Sequence, residues 1–305
     1  MMSKEKSWKG LTAVITGASS GFGEGMARKL SGAGANVVLA ARRTELIEEL
    51  AEELGPNAVA VTTDISIEKD MERLMDTALA DFGKVDVWIN NAGLGIIGSF
   101  TDIPLADQMR LIQVNLMGTM YGSQFALRQF KQQNYGTLIN LSSFVTSVPL
   151  PFGATYTATK YGISGLSKGL YQEMDLEERK DIHVCVVHPW VTDTPWTEHA
   201  GNYSGRAIEI GPADDPEEVI GQILSLIDKP QESLEIGFKV KGTAVSHKLM
   251  PDLVEKLNGQ FLMKMLESSP PAPHTSGSLF EPRMEGTGVS GELRERFRNK
   301  GSDNK

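Results

Sequence analysis

The feature that most constrains this chain is a repeated alternation. Between Leu11 and about Phe238, short apolar runs alternate with longer segments of helical period. The runs are LTAVIT, NVVLAA, AVAVTT, VDVWIN, TLINLS, HVCVVH and SLEIGF. Strands buried on both faces read as near-continuous apolar runs, and the helices between them supply the cover, so the pattern predicts repeated βαβ units and one parallel sheet. The predicted fold class is α/β, a single doubly wound seven-stranded parallel sheet with helices on both faces, followed by a C-terminal helical extension and a tail. Leu46, Ile47, Leu50 and Leu54 share one helical face after Thr44, and Ile67, Met71, Leu74, Ala78 and Phe82 do so after Ser66, with Gly83 as the stop. A later helix is set by Asp215 as its cap, Pro216 at the first helical position and Glu218 in a capping box.

Beyond residue 239 the alternation stops. The segment KGTAVSHKLMPDLVEKLNGQFLMKML reads as two short amphipathic helices broken before Pro251, with Met250, Leu253, Leu257, Phe261 and Met265 as an apolar stripe. From Ser268 onward the Pro, Ser and Gly content predicts an extended or disordered tail. The 305 residues therefore divide into a main α/β domain over 8–238, a helical extension over 239–267 and a tail over 268–305. That extension is either a lid or dimer flap over the cleft or an element that docks on a membrane surface or a partner.

Composition removes several function classes. With 40% hydrophobic and 23% charged residues the chain can bury a large core, which excludes wholesale disorder. A net charge of -9 argues against nucleic acid as a partner, because binding a phosphate backbone needs clustered cations. Cys185, the single cysteine, forms no internal disulfide and sits in an apolar run as a buried structural thiol. No metal site is expected. The N-terminus lacks the apolar stretch of a signal peptide and no run approaches the roughly 18 to 20 apolar residues of a spanning helix, so a cytoplasmic protein without a transmembrane segment is expected.

Two segments carry chemistry. Directly after the first run, TGASSGFGEGMARKL places Gly17, Gly21 and Gly23 at a strand-to-helix turn, where backbone amides and the positive helix end favour a pyrophosphate, and Ser19 and Ser20 add hydroxyl donors. The spacing G-x-x-x-G-x-G differs from G-x-G-x-x-G and from the Walker lysine loop. After the second run come Ala41, Arg42 and Arg43, where an acidic residue would select NAD and a cation selects a 2′-phosphate; NADP(H) is therefore favoured over NAD(H). In the second segment, Tyr156 and Lys160 are four residues apart and share a helix face, and an ammonium beside a phenol favours the phenolate. Poising a tyrosine near neutrality takes about three pK units, roughly 4 kcal/mol. A Y-x-x-x-K pair alone recurs by chance in roughly a third of chains of this composition, so its context decides.

The combination of TGASSGFG, the NNAG of Asn90 to Gly93 after the fourth run, Asn115, and Ser143 thirteen residues before Tyr156-x-x-x-Lys160 resembles the short-chain dehydrogenase/reductase family over about residues 8–200, with a weaker match to 238. The resemblance implies a Rossmann-type fold and an NADP-dependent oxidoreductase acting on a small carbonyl or alcohol. Tyr156 would be the general acid and base, Ser143 the donor to the carbonyl oxygen, Lys160 the ribose ligand that lowers the Tyr156 pKa, and Asn115 the organiser of a water linking Lys160 to solvent. Gly17, Ser19, Ser20, Gly21, Phe22 and Gly23 would cradle the phosphates, Asp64 with Ile65 would meet the adenine, and Asn90, Asn91, Ala92 and Gly93 would line the ribose side. Among plainer alternatives, Asn115 in mid-helix could simply be exposed.

The chain departs from the family in two places. Pro189 is followed by Trp190 where members usually carry glycine, which leaves Pro189, Thr192 and Thr194 as the expected nicotinamide contacts on an altered loop. The Asp-Gly-Gly run that supports tetramers is missing, so a homodimer through the helices at 104–132 and 154–178 is expected, with a tetramer still open. Gly162, Gly165 and Gly169 either allow a partner's close approach there or fit the helix onto its own sheet. Leu94, Phe144, Val145, Phe152, Trp190 and Trp196, with Ser143, form the expected substrate pocket, suited to an apolar ketone, aldehyde or secondary alcohol, although they could instead pack the variable loop. A catalytically silent NADP-binding sensor is the alternative function, disfavoured by the intact Ser143, Tyr156 and Lys160.

Overall fold

A computed structural model describes residues 7–209, 211–237 and 250–294. Alternate residues of each strand point to opposite faces of a sheet, and here both sets are apolar. In β2 (Asn36–Ala41), Val37, Leu39 and Ala41 join one buried cluster while Val38 and Ala40 join the other. The same division holds for Ile15 against Val14 in β1 (Thr12–Thr16) and Ile89 against Trp88 in β4 (Val87–Asn90). A sheet of this kind has to be covered twice. On the first face lie α1 (Gly21–Gly32), α2 (Thr44–Leu54) and α8 (Pro216–Asp228). The second face is covered by α3 (Glu68–Phe82) and α5 (Gly118–Gln133), with Met174 from α6 (Ala154–Leu176).

The remaining strands are β3 (Ala58–Thr62), β6 (Gly136–Leu141), β7 (Ile182–Pro189) and β9 (Ser233–Ile236), and the seven-stranded order β3-β2-β1-β4-β6-β7-β9 is parallel throughout. The expected α/β doubly wound sheet is thus present. A separate parallel pair, β5 (Ile96–Ile97) and β8 (Gly201–Asn202), holds the loop after β4 to the segment after β7, and α4 (Leu105–Ile112) and α7 (Trp196–His199) flank it. Among the described residues no helix is long and apolar enough to cross a membrane.

Local signals sit where the residue chemistry puts them. Gly83 ends α3 in the left-handed conformation, and the Asp215 carboxylate accepts a hydrogen bond from the Glu217 amide at 2.9 Å to cap α8. The Cys185 thiol is buried in β7, and burial pushes its pKa up to about 11. Gly162 fits its helix against Leu116, whereas a side chain at Gly165 or Gly169 would meet nothing.

The C-terminal region has more order than its composition signals. A single helix, α9 (Pro251–Ser268), follows the undescribed stretch; the end of the SLEIGF run and the first of the two expected helices lie outside the described residues. Residues 269–294 run extended across the body, bridging Pro271 to Arg206 and Thr275 to Asn202, with Leu279 and Leu293 buried. The Pro and Ser content that reads as a free tail instead keeps this segment out of regular structure while its backbone bonds to the domain.

Phe130, fully buried between α5 and the sheet, tests the second core face. Phe130→Ala is expected to destabilise the fold by about 3–5 kcal/mol in urea unfolding, the range for emptying an aromatic site.

Candidate active site

The carboxyl ends of β1, β2, β4, β6 and β7 open on one groove, as in open α/β sheets generally. At the end of β1, Gly17 takes a positive φ of 70°, and a Cβ at Gly23 would lie 2.0 Å from the Gly17 carbonyl oxygen. The turn therefore closes only with glycine at Gly23. A cavity of about 340 Å³ occupies this groove. Its walls include Gly17, Ser19, Ser20, Gly21, Phe22, Arg42, Arg43, Asp64, Ile65, Asn91, Ala92, Gly93, Leu94, Ser143, Phe144, Val145, Tyr156, Lys160, Pro189, Trp190, Thr192, Thr194 and Trp196, so most of the predicted positions converge. The bare backbone at Gly17 and Gly21, beside hydroxyl and guanidinium donors, fits the phosphates of a dinucleotide.

Four predicted residues lie elsewhere. Asn90 is buried below the groove, where its amide donates to Asn140 at 2.8 Å and its oxygen accepts from Trp88 Nε1 at 2.8 Å; it ties β4 to β6 and does not line a ribose site. Phe152 is not on the cavity wall: it takes a positive φ of 59° and its carbonyl accepts from the Gly98 amide, pinning the loop before α6. Gly23 acts on the groove through the Gly17 turn alone. Asn115 stands behind the wall, fully buried, which removes the reading of an exposed mid-helix residue.

Asn115 sits in a π-helical turn, Gln113–Met117, between α4 and α5. Its side chain exchanges two 2.9 Å hydrogen bonds with the backbone of Leu94 and donates to Thr159 Oγ1, so it clamps the loop after β4 to α6. Within this clamp the Lys160 ammonium donates to the Leu141 carbonyl at 2.9 Å and lies 5.7 Å from the centroid of the Tyr156 ring. Burial acts on both groups toward neutrality: it pushes the Tyr156 phenol up to about 12, against a hydrogen bond from Ser143, and the Lys160 ammonium down to about 8. Tyr156 is thus a phenol at pH 7, in the form that gives up a proton.

Several residues of this site carry no sequence signal. The imidazole of His188, at the end of β7, reaches Thr146 Oγ1 at 2.9 Å and the Ser143 carbonyl at 3.3 Å, fixing the loop that presents Ser143. Leu262 of α9 lines the cavity beside Phe261 and Met265, which belong to the apolar stripe read from the sequence while Leu262 does not. Phe144 packs on Trp190 at 4.4 Å and Tyr156 on Trp196 at 5.3 Å between ring centroids. Asp64 is paired with Arg110 at 2.6 Å, which together with bonds from Ser66 holds its carboxylate below the usual range despite burial.

The sequence pattern of the family described as short chain dehydrogenase matches residues 11–203, and the chain belongs to that family. The uncharacterized oxidoreductase YxnA of Bacillus subtilis is 32% identical over 289 residues, 91% of this chain and 80% of its own. An NADH-complexed 3-ketoacyl-(acyl-carrier-protein) reductase from Brucella melitensis superposes with a TM-score of 0.65 at 28% identity, covering 75% of this chain and 98% of its own. A short-chain dehydrogenase from Streptomyces avermitilis gives 0.71 at 25% identity, covering 84% and 98%. The protein is an oxidoreductase of a family that binds a nicotinamide cofactor.

The depressed Lys160 pKa has a measurable consequence. Between about 8 and its ordinary value of 10.5, the unfolded chain holds a proton on this lysine that the folded chain does not, so its contribution to stability rises with pH across that window. The stability of wild type relative to Lys160→Met is expected to increase from pH 8 to 10 in parallel urea titrations; a constant difference would remove the buried ammonium from the account.

Proposed function

We propose that this protein is an NADP(H)-dependent oxidoreductase that interconverts the carbonyl and alcohol forms of a small apolar substrate. The observation that carries the reading is that Ser143, Tyr156 and Lys160 line one cavity together with Phe144, Leu150, Trp190, Trp196 and Phe261, Leu262 and Met265 of α9. A bound nicotinamide supplies or accepts the hydride. In reduction the Tyr156 phenol donates its proton to the carbonyl oxygen, and Ser143 donates a hydrogen bond to that oxygen as negative charge develops on it. Lys160 stabilises the resulting phenolate from beneath the ring and, with Asn115 holding the floor of the site, takes the ribose hydroxyls. In oxidation Tyr156 acts as the base.

Gly17, Ser19, Ser20, Gly21 and Phe22 would hold the pyrophosphate, Thr192 and Thr194 the nicotinamide end, and Arg42 with Arg43 the 2′-phosphate. The preference for NADP(H) is supported by the two guanidinium groups at the carboxyl end of β2, where the chain offers no carboxylate to ribose hydroxyls. The exposed Leu105, Met109, Met120, Tyr161 and Tyr171 of α4, α5 and α6 support a homodimer through those helices; a monomer in sedimentation velocity at micromolar concentration would remove that part.

A panel of apolar ketones, aldehydes and secondary alcohols followed by cofactor absorbance, with NADPH and NADH in parallel, tests the main reading. Turnover is expected with NADPH at higher kcat/KM than with NADH, and Tyr156→Phe is expected to lose about 10²–10⁴-fold in kcat, the range for losing a positioned acid. Binding of NADPH without any turnover would favour a silent sensor, and a preference for NADH would overturn the reading of Arg42 and Arg43.

A further inference from the structure

The C-terminal segment does more than cover surface. Past its anchor at Leu279, fully buried among Ile96, Ile103 and Leu111, it arches over the adenosine-phosphate end of the groove and is pinned again at its far side. There the Asp193 carboxylate accepts from the amides of Gly291, Leu293 and Arg294 at 3.1, 2.8 and 3.2 Å. Between these two anchors, residues 281–289 place backbone carbonyls on the groove's own anion donors. Arg43 Nη1 donates to the carbonyls of Arg283, Glu285 and Gly286 at 3.5, 3.2 and 3.2 Å. The amide of Gly21, the first residue of α1, donates to the Gly288 carbonyl at 2.8 Å. Two independent donors suited to phosphate are thus engaged by one stretch of neutral backbone.

The stretch is also tied to the body beside the groove, where Arg283 donates to the Glu198 carbonyl at 3.3 Å and His199 Nε2 lies 3.0 Å from the Gly286 carbonyl, so what a phosphate can displace is its hold on Arg43 and Gly21. Arg43 is fixed from the other side by Ser19 and Ser20, at 3.0 Å to each of two Ser19 oxygens and 2.6 Å to the Ser20 hydroxyl, so its position does not depend on the arch. Its three contacts to the arch are long, whereas a guanidinium-phosphate bond closes to about 2.7–2.9 Å and is roughly twice as strong as a neutral one. Gly286 and Gly288 take positive φ values of 66° and 77°, the left-handed backbone that turns these carbonyls toward the groove's donors.

We propose that residues 281–289 are a cofactor-selective latch, displaced from Arg43 and Gly21 by a 2′-phosphorylated dinucleotide while the anchors at Leu279 and Asp193 stay docked. The inference rests on the nicotinamide-dinucleotide reading above. The 2′-phosphate carries the charge that a ribose hydroxyl lacks, so it competes for Arg43 where NAD does not, and the latch widens the discrimination between the two cofactors.

Hydrogen–deuterium exchange on the full chain tests this with NADP⁺, NAD⁺ and 2′,5′-ADP as probes, beside calorimetric binding to the full chain and to a chain ending at Phe280. Exchange over 281–289 is expected to rise at least severalfold with NADP⁺ or 2′,5′-ADP, less with NAD⁺, and to stay constant over 276–280 and 290–294. The shortened chain is expected to bind NADP⁺ about tenfold more tightly and NAD⁺ with a smaller change. Binding of 2′,5′-ADP with unchanged or slowed exchange over 281–289 would overturn the latch alone, and so would weaker NADP⁺ binding by the shortened chain, which would make the segment part of the site. Should the shortened chain fail to fold, the exchange data on the full chain decide. Failure of every probe to bind either chain would overturn the cofactor reading and the latch with it.

Discussion

A sheet that is apolar on both faces cannot be left with either face open, and this requirement dictates the rest of the molecule. Each strand must be followed by a helix that crosses back over one face, so every strand is parallel and every strand-to-helix loop leaves at the same edge. Gly17, Arg42, Asp64, Gly93, Ser143 and Pro189 are spread over more than half the sequence, yet each lies at or just beyond the carboxyl end of a different strand. They meet because the sheet's burial leaves them no other place. The site is therefore a by-product of covering the core, and its precision comes from how firmly that edge is tied.

Those ties are mostly polar and buried. Asn90 and Asn140 bond across β4 and β6 and reach Ser123 on α5 and Ser167 on α6, while Ser142 bonds to the Lys160 carbonyl and to Ser164. A buried polar group without a partner costs more than a made hydrogen bond returns, so a network this complete admits one register between the strands and helices it joins. It also bears the cost of desolvating Lys160. The ammonium is held by one carbonyl in surroundings that favour its neutral form, and a negative charge on the neighbouring phenol would relieve that cost. A proton leaving Tyr156 thus turns an unfavourable burial into an ion pair.

Much of this was legible because periodicity and turn chemistry are local. Seven apolar runs, the stop at Gly83, the cap at Asp215 and the spacing of Tyr156 and Lys160 can each be read from a few adjacent residues. What failed depended on distant partners. Asn90 sits in a motif associated with the cofactor side, but its orientation is decided by Asn140, fifty residues on, which turns it beneath the sheet. Phe152 carries an apolar side chain in the right loop, yet the backbone conformation there leaves it off the cavity wall. The 269–294 segment has a tail's composition because its docking runs through backbone carbonyls and amides, which every residue possesses and no composition reveals. His188 carries no motif, and its use in holding Ser143 follows from the register of β7 against β6.

The family match ends at residue 203, and that limit separates two kinds of information in the chain. Residues before it include Ser143, Tyr156, Lys160 and the glycine turn after β1. Residues after it add to the same cavity: α9 contributes Phe261, Leu262 and Met265 to its lining, and the segment that follows lies on Arg42 and Arg110 through the Leu279 carbonyl. One continuous stretch of chain therefore lines the cavity beside Phe144 and covers the arginines at the carboxyl end of β2. α9 lines the cavity with Asn258, Phe261, Leu262 and Met265, none of them charged, while neutral backbone carbonyls lie on the guanidinium groups of Arg42 and Arg43, donors that bond more strongly to an anion than to a carbonyl.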